Sequence, residues 1–115
     1  MTLFPPAPVR SAFALGVRLE RDGLGGEGLR PETIAWAKRL AAGAPVTLEK
    51  ARTMVAWFAR HGASPLEVAA RHRQVEQMEQ GALRGRAPAL VAWLLWGGDP
   101  GRLWAERLLR SSPSR

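Results

Sequence analysis

The segment from Ala92 to Trp104 reads Ala-Trp-Leu-Leu-Trp-Gly-Gly-Asp-Pro-Gly-Arg-Leu-Trp and leaves the chain little choice but to turn from one helix into another. Gly97 and Gly98 accept the positive φ that closes a helix, and Asp99-Pro100 offers the N-cap and first-turn proline of the next. Three of the five tryptophans flank this corner. Bulky aromatic side chains about a fixed turn are what a small helical domain needs to define its core, so the corner predicts architecture more than chemistry.

The remaining helices follow from apolar spacing and end signals. Met1 to Pro8 holds three prolines and no periodicity, so residues 1–10 read as an arm, pinned by Leu3 and Phe4. Ser11 caps a first helix reaching about Asp22, with Ala12, Leu15 and Leu19 inward. Pro31 opens a second helix reaching Ala42, with Ile34, Ala37, Leu40 and Ala41 inward and Lys38 and Arg39 outward. Thr47 caps a third helix, whose Ala51, Met54, Val55 and Phe58 recur at helical spacing before His61-Gly62 ends it. Ser64-Pro65-Leu66-Glu67 starts a fourth, running to Gln80, whose apolar content is thin and whose Glu67 is placed to pair with Arg71; such a helix is largely solvated or meets a partner. Pro88 to Trp96 is apolar all round, as a helix enclosed by others would be, and Pro100 to Arg110 turns Trp104, Ala105, Leu108 and Leu109 inward. The expectation is an all-α bundle of five or six short helices without a sheet, one domain over residues 11–110 and a tail over 111–115.

With 115 residues, no cysteine, seventeen basic residues and ten acidic ones, the chain has a net charge of +7. The absence of cysteine removes disulfides, thiolate nucleophiles and cysteine-based zinc sites. No stretch has the length and flanks of a signal peptide or membrane span, so the host cytoplasm or a particle assembled there is the expected location. Fifteen of the seventeen basic residues are arginine, as a GC-rich genome or a thermophile would leave them. A positive charge of this size attracts anionic partners, of which nucleic acid is the commonest.

Enzymatic constellations are not apparent. Gly23, Gly25 and Gly28 match the spacing of a dinucleotide-binding turn, but a helix precedes them and no parallel sheet is in prospect. His61 and His72 fall on different helices without carboxylates at ligand spacing, so no metal or other cofactor is expected, and His61 suits a helix C-terminus. Glu20 with Asp22 and Glu76 with Glu79 read as solvated pairs, and no serine has a histidine placed to activate it. The second and third helices, joined by Gly43 to Val46, have the lengths of a helix-turn-helix, with Lys50, Arg52, Thr53 and Trp57 on the side facing away from Met54 and Phe58.

Two segments carry a resemblance: Met54-Val55-Ala56-Trp57-Phe58-Ala59-Arg60-His61, and Gly85-Arg86 followed by Ala92 to Gly101. Over Pro31 to Ala105 the chain resembles a family of small, uncharacterised bacteriophage and prophage domains that pair an aromatic-Ala-Arg-His element with an Ala-Trp-x-Leu-Trp-Gly-Gly-Asp element. It departs from them between the two segments, where helix-forming Ser64 to Gln80 stands in place of a Gly- and Pro-rich loop. The resemblance implies a phage-type protein and assigns no site residue. The expected function is therefore non-enzymatic association with DNA, or a DNA-bearing complex, through Lys38, Arg39, Lys50, Arg52, Arg84 and Arg86. The alternative is a protein-interaction or virion-assembly component, including an inhibitor of a host protein, that uses Trp57, Val68, Val75 and Met78; a membrane partner is not expected.

Overall fold

The computed structural model describes residues 3–61, 64–81 and 85–111. Six helices follow in order: α1 (Ala7–Arg21), α2 (Pro31–Ala41), α3 (Leu48–His61), α4 (Pro65–Glu79), α5 (Pro88–Leu95) and α6 (Gly98–Ser111). Among the described residues there is no strand, so the fold is all-α. Among the described residues no helix is long and apolar enough to cross a membrane. Gly62, Arg84 and the tail from Ser112 to Arg115 lie outside the described residues.

α1 begins four residues before the expected cap at Ser11, because Pro8 suits a first turn whose N–H groups have no partner in the helix. The amides of Val9 and Arg10 instead donate to the Pro6 carbonyl at 3.0 Å. The arm is consequently short, and it is anchored by Leu3, whose carbonyl accepts from Val46 at 3.1 Å, and by buried Pro5. Phe4 is 57% exposed and plays no part in the anchoring. α3 and α4 start where their caps predict: Lys50 N–H donates to Thr47 Oγ1 at 3.0 Å, and Glu67 N–H to Ser64 Oγ at 3.1 Å.

α5 lies at the centre of the packing. It lies along α1 and also touches α2, α4 and α6, burying Leu90, Val91, Trp93, Leu94 and Leu95. α1 in turn packs on α2 and α6, and α3 packs on α6. α2 and α3 share almost no backbone contact, so they do not form the expected helix-turn-helix, in which two helices must pack on each other to present one to a groove.

At the corner, Gly97 and Gly98 adopt φ of +110° and +63°. A Cβ on Gly97 would stand 2.9 Å from the Gly101 Cα and 3.2 Å from Phe13 Cζ, so the turn requires glycine for space as well as for φ. α6 begins at Gly98, two residues before the expected proline start, because the Gly97 carbonyl already accepts from Gly101 N–H at 2.8 Å. Asp99 therefore lies within the first turn instead of capping it, and its carboxylate lies 3.8 Å from Arg102 and 3.6 Å from His72 of α4.

α4 is the least attached helix, as its thin apolar content predicts, but two expectations about it change. Val75 and Met78 are half-buried against the protein's own core, whereas Val68 lines a small pocket between α3, α4 and α6. The outward apolar residue is Leu66, 84% exposed. Arg71 feels the Glu67 carboxylate, as their spacing predicts, but it is buried: it is 4% exposed, its guanidinium 4.8 Å from the Trp93 ring centre. Planar, weakly hydrated arginine is the cation best suited to such a stack. Burial pushes its pKa down, while the Asp99 and Glu67 carboxylates pull it back up.

The tightest interhelical approach is at Gly16 of α1, where an added Cβ would lie 2.9 Å from the Leu94 carbonyl carbon and the Leu95 nitrogen. Helix propensity alone favours alanine over glycine by about 1 kcal/mol. Gly16→Ala is nevertheless expected to destabilise by roughly 1–3 kcal/mol, because the obstructing atoms are backbone and two central helices must part. Thermal denaturation would show Tm lowered by about 5 °C or more; an unchanged or higher Tm would contradict this packing.

Candidate nucleic-acid interface

Three of the five tryptophans, the start of α2 and one side of α3 bear on one cleft. The 3.6-residue period of α3 puts Lys50, Trp57 and His61 along one side of that helix. Across from them stands Trp96, the residue that ends α5 ahead of the glycine corner. The Trp57 and Trp96 indoles stack with centroids 5.2 Å apart and planes 14° apart. Trp96 also meets Trp36 of α2 at 5.4 Å, and Trp36 meets Phe13 of α1 edge-on at 5.2 Å. On the outer side the His61 ring lies 4.9 Å from Trp57. Five rings thus run from fully buried Phe13 to exposed His61, with Trp57 and Trp96 half-buried between them.

The cleft beside this column has a volume of about 600 Å³. The stretch from Gly28 to Thr33, spanning the loop before α2 and its first turn, forms one wall; Lys50, Trp57, Arg60 and His61 of α3 form another; Ala92, Leu95 and Trp96 close it. Its charged groups are Lys50, Arg30 and Arg60 against the single carboxylate of Glu32, so the cleft is cationic before any histidine protonates. Arg30, Arg60 and His61 are exposed, whereas Lys50 is half-buried.

Lys50 lies over two rings, its Nζ 4.4 Å from the Trp36 centroid and 5.1 Å from that of Trp96. The indole faces attract the ammonium. Burial pushes the Lys50 pKa down, and the positive charge of Arg39 pushes it further in the same direction. A cation held against these two influences stands ready for an anion that would neutralise it.

Of the six expected cationic contacts, the five that are described are not gathered on one face. Lys50 lies in the cleft with Arg39 close enough to act on it. Lys38 instead lines a shallower groove between α1 and α2, with Arg18 and Arg21. Arg86 runs beside Gly26, and Arg52 is exposed on α3 without lining the cleft. Trp57, expected as a protein anchor or as ordinary core, packs against the core and is half-buried in the cleft wall. Arg30, Arg60 and Trp96 were not among the expected site residues. The seven-residue step from Lys50 to Trp57 and the arginine one place before His61 were visible signals for α3, but no local pattern announces that Trp96 crosses to meet it. The glycines of the supposed dinucleotide turn follow α1, and of them only Gly28 lines this cleft.

Because its pKa is lowered from 10.5, Lys50 binds fewer protons in the folded than in the unfolded chain at alkaline pH. Stability is therefore expected to rise with pH through the folded-state value and to level off above 10.5. Tyrosine and cysteine are absent and Lys38 is the other lysine, so few groups obscure this window. Urea midpoints measured from about pH 9 upward should rise in the parent and stay flat in Lys50→Met; parallel profiles in the two proteins would refute the assignment.

No protein-family model, curated protein or solved structure matches this chain.

Proposed function

We propose that the protein is a non-enzymatic domain that associates with nucleic acid, DNA foremost, by placing backbone phosphates on Lys50, Arg30 and Arg60 at the cleft. The carrying observation is Lys50 itself, stationed over Trp36 and Trp96 among cations that outnumber the one carboxylate. A phosphate relieves the repulsion from Arg39 and leaves the aromatic floor undisturbed. The overall charge of +7 adds long-range attraction to any polyanion. The two segments that resemble phage domains supply Trp57, Arg60, His61, Ala92, Leu95 and Trp96, half of the cleft's lining, which supports placing the function of a phage-type protein here.

A protein contact is the second reading, favoured by the 84% exposure of Leu66 at the start of the loosely attached α4. Under it Leu66→Glu abolishes self-association in sedimentation experiments and leaves DNA binding intact.

Salt dependence tests the first reading. With about three phosphates engaged, affinity should fall by roughly one to two decades between 50 and 200 mM salt. Arg30→Ala and Arg60→Ala should each weaken binding irrespective of sequence and lower the salt slope by about one. Binding that ignores salt, or no binding to any DNA, would overturn the proposal.

A further inference from the structure

We infer that the cleft takes an unpaired nucleobase, so that the protein binds single-stranded nucleic acid in preference to duplex. The inference rests on the phosphate-binding reading and adds the chemical form of the ligand.

The argument starts from depth. Phosphates on a duplex surface can reach exposed Arg30 and Arg60, but Trp57 and Trp96 are half-buried in the cleft wall, and the bases of a duplex are already stacked on one another. A base splayed from a single strand has a free face and can enter. The volume of about 600 Å³ lies in the range of sites for small planar ligands. Inside, the ring column ends at exposed His61, 4.9 Å from Trp57, so an entering base extends a stack that the protein has already built.

The polar groups are also suited to this ligand. Thr33 and the Glu32 carboxylate sit among otherwise apolar and cationic lining residues, where they can meet the N–H and carbonyl edge of a base. A duplex hides that edge in its own pairing. The cations lie in the same cleft as the rings, which matches a strand whose phosphate and base are one nucleotide apart. Lys50 contributes to both, its stem and ammonium covering Trp36 and Trp96 while its charge is available to phosphate.

The test compares a short oligodeoxythymidylate, a duplex of the same length and thymidine monophosphate at one salt concentration, reading affinity and tryptophan fluorescence. The strand is expected to bind about tenfold or more tighter than the duplex and to quench the tryptophans, and the mononucleotide to bind far more weakly than the strand. Trp57→Leu should reduce strand affinity roughly tenfold or more and duplex affinity by much less. If circular dichroism shows that this variant does not fold, His61→Ala at the exposed end of the column replaces it, with a larger loss on the strand than on the duplex expected. Equal affinity for strand and duplex, strand binding without quenching, a mononucleotide that binds as well as the strand, or equal losses on strand and duplex would each overturn the inference while leaving the phosphate reading standing. Failure of every nucleic acid to bind would remove both.

Discussion

The contact between Trp57 and Trp96 joins parts of the molecule that their own helices leave apart. α1, α2 and α5 pack on one another, and α3 packs on α6, but α2 and α3 hardly meet although they are neighbours in sequence. Side chains close that gap: Phe13, Trp36, Trp96 and Trp57 touch in series from α1 through α2 and the end of α5 to α3. Edge-on, tilted and stacked geometries each add roughly 0.5–1.5 kcal/mol beyond burial. What they fix is the angle at which α3 stands beside the α2 start, and hence the existence of a cleft.

Electrostatics work against this arrangement in a way that suits binding better than stability. Lys50 gives up part of its hydration over Trp36 and Trp96 while Arg39 repels it. Local inconsistency of this kind is a feature of functional or strained sites. The opposite end of the molecule behaves differently. There Asp99 answers both His72 and Arg102, Arg102 reaches Glu106 at 3.5 Å, and Arg71 covers Trp93, so charges of both signs meet on α4 and α6. Those exposed pairs are each weak, and they serve to hold a helix that has little apolar surface to bury.

How much of this was legible in the sequence depends on the range of the interaction. The helices declared themselves through local rules: Thr47 and Ser64 cap, Pro31 opens, and the apolar stripe of Ala51, Met54 and Phe58 faces inward. The start of α1 was misplaced because serine is a good cap, whereas a proline at the first turn, with Val9 to bury, prevailed. The closeness of Arg71 to Glu67 was legible as a local pattern, whereas its burial over the face of Trp93, twenty-two residues away, was not. For the cleft, Lys50 and Trp57 were visible as site candidates because they share a helix face. Trp36 and Trp96 were not, because an apolar periodicity cannot distinguish a ring that is enclosed from one that lines an opening.

The glycine corner shows why that distinction matters. Its demand on the chain is steric: no side chain fits at Gly97 between Gly101 and Phe13, so α5 must stop at Leu95 and α6 must leave at once. Trp96 then falls on the cap, past the last residue of the helix, where it is half-buried when the five other large apolar residues of α5 are enclosed. One residue earlier it would be core. The turn that sets the architecture thus also releases one indole from the interior and aims it at Trp57, and a site built on that indole inherits the rigidity of the corner behind it.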